Sequence, residues 1–279
     1  CSSDLDQTGH MPELPEVETT KRGLAPLIIN QTVAKVVLHR ANLRWEMPKH
    51  LITTLANQKV NAVNRRGKYL LIEFDVGILI VHLGMSGSIK VLDKEEPCLK
   101  HDHFELVFDD GKSMRLNDPR RFGAVLFSKD GSHKLLDGLG VEPLEGLFDD
   151  TYLYVRSRKK QQNIKAFIMD SKVVVGVGNI YACESLHQAG IAPECSAGSV
   201  SKKRYQVLSQ CIKNILTQAI DAGGTTLQDF SQVDGTPGYF SQTLSVYGRE
   251  NRPCGTCSGK ISRITQNQRS TFYCKQCQT

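Results

Sequence analysis

No apolar run in this 279-residue chain approaches the ~20 residues a membrane-spanning helix needs, and no charged-then-apolar leader is visible. Neither a membrane span nor a secretory signal is therefore expected. A strong charge bias is missing too: the formal charge is +6 and the pI near 8.8. That mild excess is compatible with a polyanionic partner but is common in proteins that bind none. A disulfide framework is also absent. The nine cysteines are an odd number, and Cys1, Cys98, Cys183, Cys195 and Cys211 follow no pairing pattern, which suits a reducing, cytoplasmic setting. The 40% hydrophobic content supports real cores, and the length suits two ordinary domains.

The distribution of charge says more than its total. From Arg249 onward there are six Lys or Arg against one acid, Glu250. A second basic cluster holds Arg156, Arg158, Lys159, Lys160 and Lys165. Two separated patches suit either a long polyanion such as a nucleic-acid backbone or two solvated faces.

Residues 1–10 are small and polar without periodicity and are excluded from the fold; with Met11 they form an extension ahead of a natural start expected at Met11. A short helix is predicted from about Pro15 to Leu24, ending at Ala25-Pro26. Its acids Glu16 and Glu18 would complement the dipole of the first turn. The runs 32–38, 69–74, 78–83, 104–108 and 125–127 are short and β-prone. Phe104, Leu106 and Phe108 alternate, and Asp110-Gly111 signals a hairpin before Lys112 to Leu116. Strands this closely spaced predict an antiparallel sandwich or flattened barrel, with one helical insert near residues 50–56. Beyond a glycine- and proline-containing hinge at 138–143 the pattern turns helical. Leu208, Cys211, Ile212, Ile215, Leu216, Ala219 and Ile220 share one helix face, which Gly223-Gly224 ends. Two shorter helical pieces within 164–190 flank Gly176-Val177-Gly178. Amides at that turn could approach a phosphate, and the helix start at Asn179 would favour an anion; a tight turn between core helices is the other reading. Residues 223–240 read as a mobile loop.

Two stretches carry chemistry. Cys254-x-x-Cys257 and Cys274-x-x-Cys277, with sixteen residues between the pairs, predict one structural Zn²⁺ held by four thiolates on a β-hairpin, with Arg269 near its tip. Four thiolates leave no open position for catalysis. At the other end, Met11-Pro12-Glu13 would expose a secondary amine on Pro12 if Met11 were removed. An α-amino group has pKa of about 7.7–8.0, so a useful fraction would be neutral and nucleophilic. Attack on a sugar C1′ would give an iminium, and Glu13 is adjacent to move protons. A proline-rich helix cap explains the same residues without chemistry.

Met11-Pro12-Glu13-Leu14-Pro15-Glu16-Val17-Glu18-Thr19 resembles the opening of the bacterial formamidopyrimidine-DNA glycosylases. His82-Leu83-Gly84-Met85-Ser86-Gly87, Asp118-Pro119-Arg120-Arg121-Phe122-Gly123, Gly176-Val177-Gly178-Asn179-Ile180-Tyr181 and the four-cysteine C-terminus resemble the same family in the same order. The resemblance implies an α+β, multidomain chain. Its parts would be a catalytic β-sandwich over 12–140, a helical helix–two-turns–helix domain over 141–243 and a zinc finger hairpin over 244–279, with DNA in a cleft. It implies excision of oxidised purines, 8-oxoguanine and formamidopyrimidines, followed by β,δ-elimination. Pro12 would be the nucleophile and Glu13 the proton donor, with Lys68 and Arg269 assisting at phosphate and in elimination.

The resemblance also implies DNA contacts by His101, Arg120 and Asn179, and insertion of Met85, Arg120 and Phe122 into the duplex. From the residues alone, Met85 and Phe122 read equally as core, and Lys68 as a strand-edge lysine. One departure stands out: simple register puts Gln161 where the family has a DNA-contacting lysine, and Lys160 would serve by a one-residue shift. The resemblance implies damaged double-stranded DNA as partner, no membrane, a monomer, and a bacterial cytoplasmic, nucleoid-associated location. The mobile loop would close over the extruded base. Two rivals remain: an endonuclease VIII-like glycosylase for oxidised pyrimidines, and a catalytically silent zinc-stabilised DNA-binding protein.

Overall fold

Alternating buried residues organise the first half of the chain into strands. This computed structural model describes residues 11–225, 233 and 243–279. The extension 1–10 and most of the expected mobile loop lie outside the described residues. The chain divides into two units.

The first unit is built on Glu16–His133. Helix α1 (Leu14–Ile28) leads into β1 (Val33–Leu38), α2 (Leu51–Thr54), β2 (Ala62–Arg66), β3 (Tyr69–Phe74), β4 (Gly77–His82), β5 (Ser88–Asp93), β6 (Asp102–Phe108), β7 (Lys112–Asn117) and β8 (Ala124–Ser128). The strands make two four-stranded antiparallel sheets, ordered β1-β6-β7-β5 and β2-β3-β4-β8. One core joins them, with Phe104, Leu106 and Leu116 from one sheet, Leu70, Ile72 and Leu79 from the other, and Val17, Leu24 and Ile28 from α1.

Helix α1 does not stop at Pro26 as predicted but continues to Ile28. An interior proline costs ~3 kcal/mol. Full burial of Leu24 and Ile28, worth about 1.5–3 kcal/mol each, offsets it, and Ile29 N–H closes the last turn on Ala25 O at 3.0 Å. The dipole reading of its acids is also incomplete. Glu16 accepts from Thr225 N at 2.8 Å, and Glu18 accepts from Arg65 Nε at 2.9 Å and pairs with Lys21 at 3.0 Å. Burial pushes the Glu18 carboxyl up, but Arg65 and Lys21 reverse this and hold it below its ordinary value.

The second unit includes Lys134–Ala222, the tripeptide Glu13–Pro15 and residues 243–279. It contains α3 (Lys134–Asp137), α4 (Asp150–Ser157), α5 (Ile164–Met169), α6 (Asn179–Gln188), α7 (Lys202–Asp221) and the hairpin β9 (Ile261–Gln266)–β10 (Arg269–Cys274). Side-chain caps start three of these helices: Asp149 on Tyr152 N, Asn163 on Ala166 N and Ser201 on Arg204 N. The expected apolar face of α7 is buried, from Leu208 to Ile220.

Candidate active site

The N-terminus of α6 is where the second unit gathers its polar groups. A helix start leaves backbone N–H groups without intrahelical partners and attracts an anion. Here the anion is the Glu13 side chain: Gly178 N donates to Oε2 at 2.7 Å and Ile180 N to Oε1 at 3.1 Å. The chain thus supplies its own anion at this helix start, and these two amides are taken by Glu13. Gly178 has no room for a side chain, since a Cβ would lie 2.2 Å from Glu13 Cδ. Leu14 N also donates to Gly176 O at 3.1 Å, fixing the peptide beside Glu13.

Asn179 ties this helix start to the hairpin. Its Nδ2 donates to Ser270 O at 2.9 Å and to Tyr247 Oη at 3.1 Å, and its Oδ1 accepts from Lys165 Nζ at 2.6 Å. Lys165 also donates to Thr271 Oγ1 at 2.6 Å. It is buried, so it leaves the expected basic surface cluster, and burial with Arg269's charge pushes its ammonium below the ordinary value. Arg158 leaves that cluster too, stacked over Tyr154 at 3.9 Å and bonded to Val200 O. Lys160 and Gln161 stay exposed, on a turn held by Gly198 N and Ser196 Oγ at Lys160 O. Arg269 is exposed at the hairpin tip, beside a turn of two positive-φ residues, Asn267 and Gln268.

The four cysteines converge in the same unit. Cys254 and Cys277 sulfurs are 3.9 Å apart, Cys257 and Cys274 sulfurs 3.4 Å, and all four fall within 4.8 Å of one another. Tetrahedral zinc with ~2.3 Å bonds to sulfur spaces its ligands by ~3.8 Å, so the set fits one structural Zn²⁺. His187 of α6 adds an imidazole nitrogen 3.5 Å from Cys254 Sγ.

In the first unit Asp118, fully buried, joins two loops. Its Oδ1 accepts from Ser86 Oγ at 3.1 Å and its Oδ2 from Gly123 N at 2.8 Å, while its backbone N–H bonds His101 O at 2.9 Å. Gly84 (φ +67°) packs so closely on Phe122 and Gly123 that a Cβ would meet their backbone at 2.4 Å. The result brings Met85, His101, Arg120 and Phe122 to one end of the sandwich. Phe122 is 46% exposed and stacks 5.7 Å from the Arg120 guanidinium, so it is not core.

Lys68 sits at the β2–β3 turn after Gly67 (φ +56°), whose carbonyl accepts from Arg65 at 2.9 Å. Its charge reaches His82. Burial, Lys68 and Arg44 push that imidazole down to about 4, leaving it neutral, and its Nδ1 accepts from Gly84 N at 3.0 Å.

Comparison with known proteins fits this arrangement. Residues 11–125 match the formamidopyrimidine-DNA glycosylase N-terminal domain, 139–231 its H2TH domain, and 252–279 a zinc finger found in FPG and IleRS. The chain belongs to the formamidopyrimidine-DNA glycosylase family. It is 73% identical to the formamidopyrimidine-DNA glycosylase of Ruthia magnifica over 96% of this chain and all of that protein. The crystal structure of the MutM (Fpg) protein of Thermus thermophilus superposes with TM-score 0.87 at 36% identity, covering 96% of this chain and 98% of that one. A Lactococcus lactis FPG mutant in complex with Fapy-dG-containing DNA gives 0.88 at 30% identity, covering 96% and 100%. The fold is thus that of a formamidopyrimidine-DNA glycosylase: a β-sheet N-terminal domain, an H2TH domain and a four-cysteine zinc finger.

Sequence reasoning misses three anchors of this glycosylase. Lys165 reads only as surface charge, and Asp118 stands in its motif without a role. Glu184, whose carboxylate accepts from Ser245, Val246 and Tyr247 N at 2.8–2.9 Å, draws no notice. An acid in the middle of an otherwise apolar helix stretch is the one available signal.

Proposed function

We propose that this chain removes oxidised purines, 8-oxoguanine and formamidopyrimidines, from duplex DNA and then cuts the backbone by β,δ-elimination. The observation that carries this is Glu13: the carboxylate directly after Pro12 is fixed by two backbone amides in a chain that belongs to the family over nearly its whole length.

In the mechanism, the nitrogen of Pro12 attacks C1′ of the damaged nucleotide. The C1′–base bond breaks, and the base leaves with the proton released by the Pro12 nitrogen. Glu13, once it has taken a proton from solvent, passes it to the ring oxygen as the sugar opens. The iminium so formed makes the C2′ proton acidic. Loss of that proton expels the 3′ phosphate, and a second elimination expels the 5′ phosphate. Lys68 and Arg269 contact phosphate and assist these eliminations. His101, Arg120 and Lys160 or Gln161 hold the DNA. Asn179 contributes by fixing the hairpin that carries Arg269. Met85 and Phe122 fill the space of the extruded nucleotide, and Arg120 hydrogen-bonds the orphaned base. Zinc, held by Cys254, Cys257, Cys274 and Cys277, keeps the hairpin folded. The enzyme acts as a monomer on DNA in the bacterial cytoplasm, at the nucleoid.

Borohydride trapping on an 8-oxoguanine duplex, with protein of defined N-terminus, tests this reading. The expected product is a covalent adduct whose cross-linked peptide begins at Pro12. A cross-link mapped to Lys68 would overturn the proline mechanism, and faster excision from oxidised-pyrimidine duplexes would overturn the substrate.

A further inference from the structure

Strand β6 should carry polar residues on its outer face, yet Glu105 on that face is buried. Arg115, on the neighbouring β7, explains half of this. Its Nε donates to Glu105 Oε1 at 2.9 Å, and its remaining donors hold the carbonyls of Glu96 at 2.8 Å, Pro97 at 3.3 Å and Lys94 at 3.4 Å. One buried guanidinium therefore locks both the carboxylate and the loop ending at Cys98. The second oxygen, Oε2, faces His39 Nε2 at 3.0 Å and Cys98 Sγ at 3.9 Å, and the latter two atoms lie 3.7 Å apart. His39 follows β1, where its N–H bonds His103 O at 3.1 Å.

Three donors of different type, nitrogen, sulfur and oxygen, thus converge from three separate segments of the first unit. Bonds of about 2.0–2.3 Å in a tetrahedral zinc site place such donors about 3.3–3.6 Å apart, and the observed gaps bracket that range. His39 and Cys98 are exposed, so a metal has an entry path and a fourth position for water.

We propose that His39, Cys98 and Glu105 form a second metal site, distinct from the four-cysteine finger, that takes one divalent ion of the zinc class. Binding exchanges the Cys98 thiol proton for the metal, with that proton going to solvent, while the proton that His39 Nε2 shares with Glu105 moves to Nδ1, so that Nε2 offers its lone pair to the ion. The ion fastens the end of β1 to the loop that leads into His101, three residues beyond Cys98.

Cobalt(II) is the probe, added to protein that retains its finger zinc, with zinc content followed by elemental analysis. One cobalt per chain is expected, with a thiolate-to-cobalt charge-transfer band and the finger zinc unchanged. Cys98→Ala should abolish the band. His39→Ala should weaken cobalt binding about 100-fold, since even outer-shell changes cost 10–100-fold. Both variants should keep the finger zinc; Cys98→Ala should also keep the metal-free melting temperature, whereas His39→Ala should lower it by a few degrees, since it removes the 3.0 Å partner of the buried Glu105 Oε2. No band in the wild type would overturn the site. So would a band that survives unchanged in both variants, or one that grows only as finger zinc is lost.

Discussion

Gly178 is the residue on which the placement of Glu13 rests. Its amide bonds the carboxylate, and its missing side chain leaves that carboxylate space: an added Cβ would sit 2.2 Å from Glu13 Cδ. Gly178→Ala should therefore push Glu13 aside. Misplacement by ~1 Å can cost about 100-fold in rate, so single-turnover excision should fall by that order while the finger zinc is retained. A rate within a few-fold of wild type would show that Glu13 does not depend on this contact. His82 supports a pH prediction. Its folded pKa of about 4 lies below the ordinary 6.5, so between these values the unfolded chain binds a proton that the folded one does not. Stability from this group is full above pH ~6.5 and declines as pH falls toward 4, by about 3 kcal/mol at most. Urea unfolding from pH 7 to 4 should show a shallower decline in His82→Phe than in wild type. Single residues were legible where chemistry forced a type, as in the four finger cysteines. Lys165 and Arg158 were not, because a sequence does not tell a lysine buried on an asparagine from one in water.

At the scale of elements, α6 organises the second unit. Its start holds Glu13, Asn179 ties the hairpin, Glu184 in its middle holds residues 245–247, and His187 reaches Cys254. Glu184→Ala would take the acceptor from three N–H groups, two of them buried at ~1–3 kcal/mol each, so unfolding free energy should drop by at least about 2 kcal/mol. Glu184→Gln keeps Oε1, which serves Val246 and Tyr247, and should recover more than half of that loss. Equal losses in the two variants would mean that the damage is steric rather than a matter of acceptors. Elements with strong alternation, such as β3 and β6, were legible. Strand β2, reading Ala-Val-Asn-Arg-Arg, was not, because its pairing with β3 rather than its own pattern makes it a strand. The run of α1 past Pro26 was hidden for a similar reason, since tertiary burial decided against a local rule.

At the scale of the whole molecule, the zinc finger was the most legible part, because four thiolates at that spacing have few other uses. Chelation of the zinc should weaken binding to damaged and undamaged duplex alike, while Arg269→Ala should keep the metal and lower the salt slope of log K by about 0.9, the loss of one phosphate contact. An unchanged slope would remove Arg269 from the DNA surface. The proposed chemistry also makes a demand on the other end of the chain. With Met11 attached, the Pro12 nitrogen is a tertiary amide whose lone pair is committed to peptide resonance, with neither a proton to lose nor nucleophilicity to use. Nothing in the zinc site, the Asp118-centred loops or the α6 network requires that amine to be free. Protein carrying residues 1–11 should therefore fold, bind zinc and bind duplex, yet neither excise nor trap with borohydride. The same protein trimmed to Pro12 should do both. Intact mass before and after the assay identifies which form is present. Excision and trapping at equal rates by both forms would exclude the terminal amine as nucleophile and direct the search to a lysine, beginning with Lys68.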